Sequence, residues 1–103
     1  MNYQKVILIG RATDDAVKRE SKSGEVEFTT FDVAVNDGKD QTTFFPVTVF
    51  GKTGEVAAKY VTRGRIVLVD GRIQVNAKRY FKVIADRVQF GPEPGAATKE
   101  GAE

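Results

Sequence analysis

The sequence predicts an all-β domain: a small five-stranded Greek-key barrel with one α-helix between strands 3 and 4. Three observations predict it. Short β-branched and aromatic runs recur along the chain, each bounded by Gly, Ser-rich or Asn-Asp-Gly turn signals. Only one stretch, Thr53–Arg63, changes to helical spacing of its apolar residues. The chain of 103 residues is long enough for one core, burying about 60 to 70% of its unfolded surface without disulfide or metal staples.

Lys5–Arg11 (KVILIGR) is a short apolar run ended by Gly10, the pattern of a buried strand, and Ala16–Glu20 extends it beyond a bend at Thr13–Asp15. Ser21-Lys22-Ser23-Gly24 turns into a long second strand, Glu25–Asn36. Val26 and Phe28 share one parity there, and Phe31, Val33 and Val35 the other, so the inward face is expected to switch near Thr29–Thr30 through a bulge or strong coiling. Asn36-Asp37-Gly38 is a tight-turn signal, which makes TTFFPVTVF (residues 42–50) the antiparallel partner of that strand. In the helix, Thr53 is placed to cap, Glu55 suits the positive N-terminal end, Val56, Ala57, Tyr60 and Val61 form the buried stripe, and Arg63-Gly64 ends it. Arg65–Val75, with a bulge expected at Gly71, and Tyr80–Phe90 complete the barrel across the turn Asn76–Arg79. This element order is that of an OB-fold; an SH3-like barrel would not place a three-turn helix there. Residues 1–90 form the folded domain, and 91–103 (GPEPGAATKEGAE) has almost nothing to bury and is expected to be a disordered tail.

The composition removes whole classes of chemistry. With no His and no Cys, the commonest general base, the cysteine nucleophile and the usual zinc ligands are missing, so neither catalysis nor a metal or other cofactor is expected. Asp14-Asp15 lies in a turn and Glu25 and Glu27 flank a hairpin, where solvated charge is the expected role. No apolar run is long enough to span a bilayer, and Met1 opens directly onto KVILIG without signal-peptide features. A cytoplasmic protein without membrane association is expected. Net charge is only +2, but residues 1–90 hold 15 basic and 11 acidic side chains, so the folded part is more basic than the whole.

The third strand poses the functional question. Alternation sends Thr43, Phe45, Val47 and Val49 to the core and leaves Phe44 and Phe50 on a face otherwise made of Thr42, Pro46 and Thr48. Two exposed Phe side chains gain nothing by folding, so something covers them. One reading is a subunit interface, or cover from the helix or a loop. The other is a stacking platform for unpaired bases, which needs aromatic rings near cations that follow the phosphates. Lys52 directly follows Phe50-Gly51, and the strand ends and loops supply Lys5, Arg11, Arg72, Lys78, Arg79 and Lys82. Tyr3, Val6 and Ile7 are expected at a subunit contact, because a barrel this small uses only one side of its first strand.

The segments KVILIGR, FDVAVND, FFPVTVFGKTGEVAAKYVTRG, IVLVDGRI and ADRVQF resemble, in order and spacing, those of the bacterial single-stranded DNA-binding protein family, over residues 2–90. GKTGEVAAKYVTRG with the following IVLVDGRI is the most specific piece. The related primosomal replication protein N matches that stretch less well. The resemblance implies a non-catalytic OB-fold binder of single-stranded DNA with little sequence preference, acting in replication, recombination or repair. It implies a nucleoid-associated homo-oligomer, a tetramer rather than a dimer. It places base-stacking aromatics at Phe44 and Phe50 and a phosphate contact at Lys52. An OB-fold adaptor of primosomal type, binding replication proteins and DNA only weakly, is the alternative.

Three departures qualify the resemblance. The loop Asn36–Gln41 is shorter than is usual in the family and lacks its aromatic; the loop Val75–Arg79 is shorter too, with Tyr80 expected to replace the aromatic lost there. A smaller footprint per subunit and weaker binding follow. The segment ATKEGAE lacks the family's closing acidic-hydrophobic tip, so tail-mediated recruitment of replication proteins is not expected.

Overall fold

The computed structural model describes residues 3–91. They form β1 (Val6–Ala12), β2 (Val17–Glu20), β3 (Glu27–Asn36), β4 (Thr42–Phe50), α1 (Gly51–Tyr60), β5 (Ile66–Val75) and β6 (Phe81–Phe90). The tail expected over residues 91–103 lies outside the described residues except for Gly91, whose N–H donates to the Ile66 carbonyl at 2.7 Å.

The strands run round the barrel in the order β1-β5-β6-β4-β3-β2, and a β1–β3 pairing closes it. β1 and β2 are two halves of one bent strand. Both pair antiparallel with β3, through Arg11↔Ala34 and Ala12↔Val33 on one side of the bend and Val17↔Thr30 on the other. The result is the five-stranded OB barrel with one helix, as the element order predicts.

Alternation fills the interior. Leu8 and Ala12 of β1, Phe31 and Val33 of β3, Val47 and Val49 of β4, Val67 and Val69 of β5, and Val83 and Ala85 of β6 are buried together with Ala57 and Val61. Each fully buried Val contributes about 1.5 to 3 kcal/mol relative to an exposed one. The bulge expected at Gly71 is present as a shift in the β5–β6 register between Asp70 and Gly71. A Cβ on Gly71 would collide with the Ile84 carbonyl oxygen, so only glycine lets the strands approach there.

Two local expectations are corrected. β3 does not switch faces at Thr29–Thr30: its pairing with β4 is continuous from Phe28↔Phe50 to Asn36↔Thr42. Thr29 itself takes the inward position, buried, with its hydroxyl donating to the Gly54 carbonyl at 2.7 Å. A satisfied hydroxyl is tolerated in the core, so the parity continues through it and Phe28 stays outside.

The helix begins two residues earlier than expected and ends three earlier. Gly51, at a φ of 68°, makes the corner from strand to helix, and no side chain caps it, so Thr53 does not have the expected role. Glu55 falls beyond the first turn. The buried face is Gly54 and Ala57, whereas Val56 and Tyr60 are exposed. Helix-to-barrel packing here is close enough that a Cβ on Gly54 would meet the Val49 carbonyl oxygen. A bulky stripe has no room on that side. Val61 is buried, but as the residue after the helix, its N–H donating to the Ala57 carbonyl. Arg63-Gly64 belongs to the following turn.

Candidate nucleic-acid interface

The β3–β4 register sets the outward residues in rows across the sheet. Phe28 lies opposite Phe50, Thr30 opposite Thr48, Asp32 opposite Pro46 and Ala34 opposite Phe44. β4 pairs parallel with β6 through Thr48↔Ile84, which continues the second row to Arg72 of β5. The same register carried back one pair, from Val47↔Val83, sets Lys82 beside Pro46.

The spare parity of β4 is outside. Phe44 is 58% exposed and Phe50 43%. Neither ring is sealed in the core, and neither is covered by α1. They stand six residues apart on one strand, about 20 Å at the usual rise. Phe50 leans on Phe28, with ring centroids 5.9 Å apart at 51°.

Between the two rings is a shallow hollow of about 300 Å³, lined among others by Arg19, Thr30, Asp32, Pro46, Thr48 and Lys82. Arg19 is held over it by a hydrogen bond from its Nε to Thr30 Oγ1 at 2.9 Å. Asp14 and Asp15 reach the same hollow, but Asp15 Oδ1 accepts the Arg63 N–H at 2.9 Å and Asp14 Oδ1 the Asp15 N–H at 2.8 Å. The Asp14-Asp15 turn therefore fastens the bend of the first strand to the chain beyond the helix.

The expected cations are distributed unevenly. Lys52 is exposed in the first turn of α1, two residues after Phe50, and Lys82 lines the hollow. Lys78 and Arg79 are at the tip of the β5–β6 hairpin, where Asn76 Oδ1 accepts the N–H groups of Lys78 and Tyr80. Tyr80 is 70% exposed there. Phe81, by contrast, sits edge-on against Phe45, with centroids 6.1 Å apart, in line with its core-like parity.

The remaining three lie off the ring face or are engaged. Lys5 pairs with Asp70 at 3.3 Å on the β1–β5 face, and Arg72 pairs with Asp86 at 3.3 Å. Arg11 donates from Nη1 to the Gly64 carbonyl at 3.0 Å and lines a separate, largely apolar hollow with Ile9, Ala34 and Ile66. Of the residues expected at a subunit contact, Val6 instead packs against the core, because it shares the parity of Leu8. Ile7 and Ile9 point outward, each 59% exposed, and Tyr3 is exposed with them.

Three residues of the ring face escaped the reading of the sequence: Phe28, Arg19 and Asp32. A signal for Phe28 existed, since it broke the parity of Phe31, Val33 and Val35. Arg19 and Asp32 are placed on this face by strand pairing, which no local pattern encodes. Among the described residues no helix is long and apolar enough to cross a membrane, and no group of three or more His, Cys, Asp or Glu comes together as a metal site.

Residues 3–90 match the model of the single-strand binding protein family. A single-stranded DNA-binding protein from Thermotoga maritima is 38% identical over 117 residues, covering 98% of this chain and 82% of that protein. One from Clostridium tetani is 36% identical over 99 residues, covering 84% of this chain and 68% of that protein. Among solved structures, a deletion variant of the single-stranded DNA binding protein from Thermus aquaticus superposes with a TM-score of 0.75 at 30% identity, over 88% of this chain but only 42% of that one. With a family match over nearly every described residue, and relatives and fold in agreement, this chain belongs to the single-strand binding protein family.

Proposed function

We propose that the chain is a non-catalytic, sequence-tolerant binder of single-stranded DNA that acts in replication, recombination or repair. The observation that carries this reading is the pair of outward rings, Phe44 and Phe50, on one strand of a closed barrel. Every base has a π-face, so rings of this kind bind without choosing sequence, and stacking contributes about 1 to 3 kcal/mol per base. In a duplex those faces are already stacked on one another, which favours single strands. Lys52 next to Phe50, Lys82 in the hollow between the rings, and Lys78 and Arg79 at the hairpin tip supply phosphate contacts in this reading, while Tyr80 offers a third stacking surface at the hairpin.

The outward Ile7 and Ile9 on the other side of the barrel support self-association. We take the assembly to be a homo-oligomer, a tetramer rather than a dimer, working in the cytoplasm on the nucleoid. Titration with oligo-dT and with duplex at several salt concentrations tests the reading. Strong preference for the single strand is expected, with affinity falling by about 0.7 in log–log slope per phosphate neutralised. Equal affinity for both, or a flat salt response, would reject it; capture of replication proteins in that case would favour the adaptor alternative.

A further inference from the structure

β4 ends at Phe50 and the chain turns at Gly51 directly into α1, so the ring face stops where the helix starts. A strand lying on the Phe28–Phe50 row and held by Lys52 is therefore already at the first turn of α1. Helical spacing sets Lys52, Val56, Lys59 and Tyr60 on one exposed face, while Gly54 and Ala57 turn toward the barrel. Val56 is 45% exposed and Tyr60 43%. Lys59 Nζ stands 5.7 Å from the centroid of the Tyr60 ring, and that ring leans on Phe90 with centroids 5.9 Å apart. Arg63 follows in the turn beyond the helix, its backbone N–H donating to Asp15 Oδ1. The charges here are unbalanced. Ion pairs among the described residues engage Lys5, Lys18 and Arg72, but not Lys52, Lys59 or Arg63. Glu55, between Lys52 and Lys59 in sequence, is the only acid of the helix, and Asp15 is the acid beside Arg63. Exposed pairs at helical spacing are weak, so Glu55 does not hold either lysine against a polyanion.

We propose that the single strand does not leave the protein at Phe50 but continues along the exposed face of α1, with Lys59 and Arg63 following Lys52 as phosphate contacts. The inference rests on the proposed single-strand binding and extends its surface from the sheet onto the helix. Lys52 and Lys59 are seven residues apart, about 10.5 Å along the helix axis, so they meet different phosphates of one backbone. Val56 lies between them and gives the sugars an apolar surface. Tyr60 acts on Lys59: a cation over an aromatic face is held there by the ring's quadrupole, which keeps the ammonium on the exposed side. An acidic protein segment would meet the same charges. Continuity with Phe50 and Lys52 favours the nucleic acid, because a strand bound on the ring face reaches α1 without a second encounter.

Acetylation of lysine amines, read by mass spectrometry on the full chain with and without a saturating long oligo-dT, tests this. Lys52 and Lys59 are expected to react freely in the protein alone and several-fold more slowly with DNA bound. Lys22, exposed in the turn between β2 and β3, keeps its rate. Salt titration of Lys59→Ala combined with Arg63→Ala gives a second, independent reading. Two phosphate contacts are lost, so the log–log slope falls by about 1.4, and the variant's deficit against the wild type narrows about sevenfold between 50 and 200 mM salt. Both side chains are exposed, so thermal unfolding of the variant stays near that of the wild type. Protection of Lys52 without Lys59, a Lys59 already unreactive in the free protein, or an unchanged slope in the double variant overturns the inference while leaving single-strand binding intact. Failure of the wild-type protein to bind oligo-dT overturns both.

Discussion

Truncating Phe44 separates a stacking surface from a structural ring, because the two roles differ in which free energy they change. A Phe buries about 150 to 250 Å² when fully enclosed, and Phe44 retains 58% of its exposure. Phe44→Ala therefore removes less than half of that contact, at most about 2.6 kcal/mol of stability at 25 cal/mol/Å². Binding should fall by more than stability predicts. Loss of one stacked base costs about 1 to 3 kcal/mol, or roughly 5- to 150-fold in the dissociation constant. The salt slope should not change, since no charge is removed. Phe50→Ala is the contrasting case. It loses the same stacking but also its contact with Phe28, 5.9 Å away, and such aromatic pairs contribute about 0.5 to 1.5 kcal/mol beyond their area. Phe50→Ala should thus unfold at lower denaturant than Phe44→Ala while losing similar affinity. Anisotropy titration with oligo-dT at several salt concentrations, beside urea unfolding of each variant, measures both. A folded Phe44→Ala that binds oligo-dT as tightly as the wild type would refute stacking on this ring.

Lys52→Ala should leave stability unchanged, because the side chain is exposed, and should reduce the salt slope by about 0.7, equally for all sequences. Thr29→Val keeps the shape of the buried side chain but removes its hydrogen bond to the Gly54 carbonyl. About 1 kcal/mol of unfolding free energy should be lost in urea titration, with oligo-dT affinity of the folded protein intact. Ile7→Glu combined with Ile9→Glu puts two charges on the outward face of β1. Sedimentation should then show smaller species than the wild type, with circular dichroism still reporting a β fold.

The stacking pair was legible in the sequence because strand alternation is local. Once Val47 and Val49 are assigned inward, Phe44 and Phe50 point outward whatever surrounds them. The expected switch in β3 failed for an equally local reason. Val26 and Phe28 were taken as inward because they are apolar, whereas the inward position belongs to Thr29, whose hydroxyl is satisfied by a carbonyl 25 residues away in sequence. The helix boundaries failed because Thr53 and Arg63-Gly64 were read from capping preferences and the stripe from helical spacing; the close approach of Gly54 to Val49 and the corner at Gly51 decide where α1 starts and which side it buries. Cations were countable but not locatable. Lys5 and Arg72 are engaged by Asp70 and Asp86 through tertiary contacts, and Lys82 is not.

By itself the sequence determined the kind of barrel, the inventory of chemistry it lacks, and the parity of β4, because turn residues, composition and alternation act within a few residues of chain. Only the tertiary structure decided what shares a face: Phe28 with Phe50, Arg19 with Thr30, and Asp32 with Pro46 and Lys82. Those neighbours come from four different strands, and the register that unites them is set when the barrel closes over a common core.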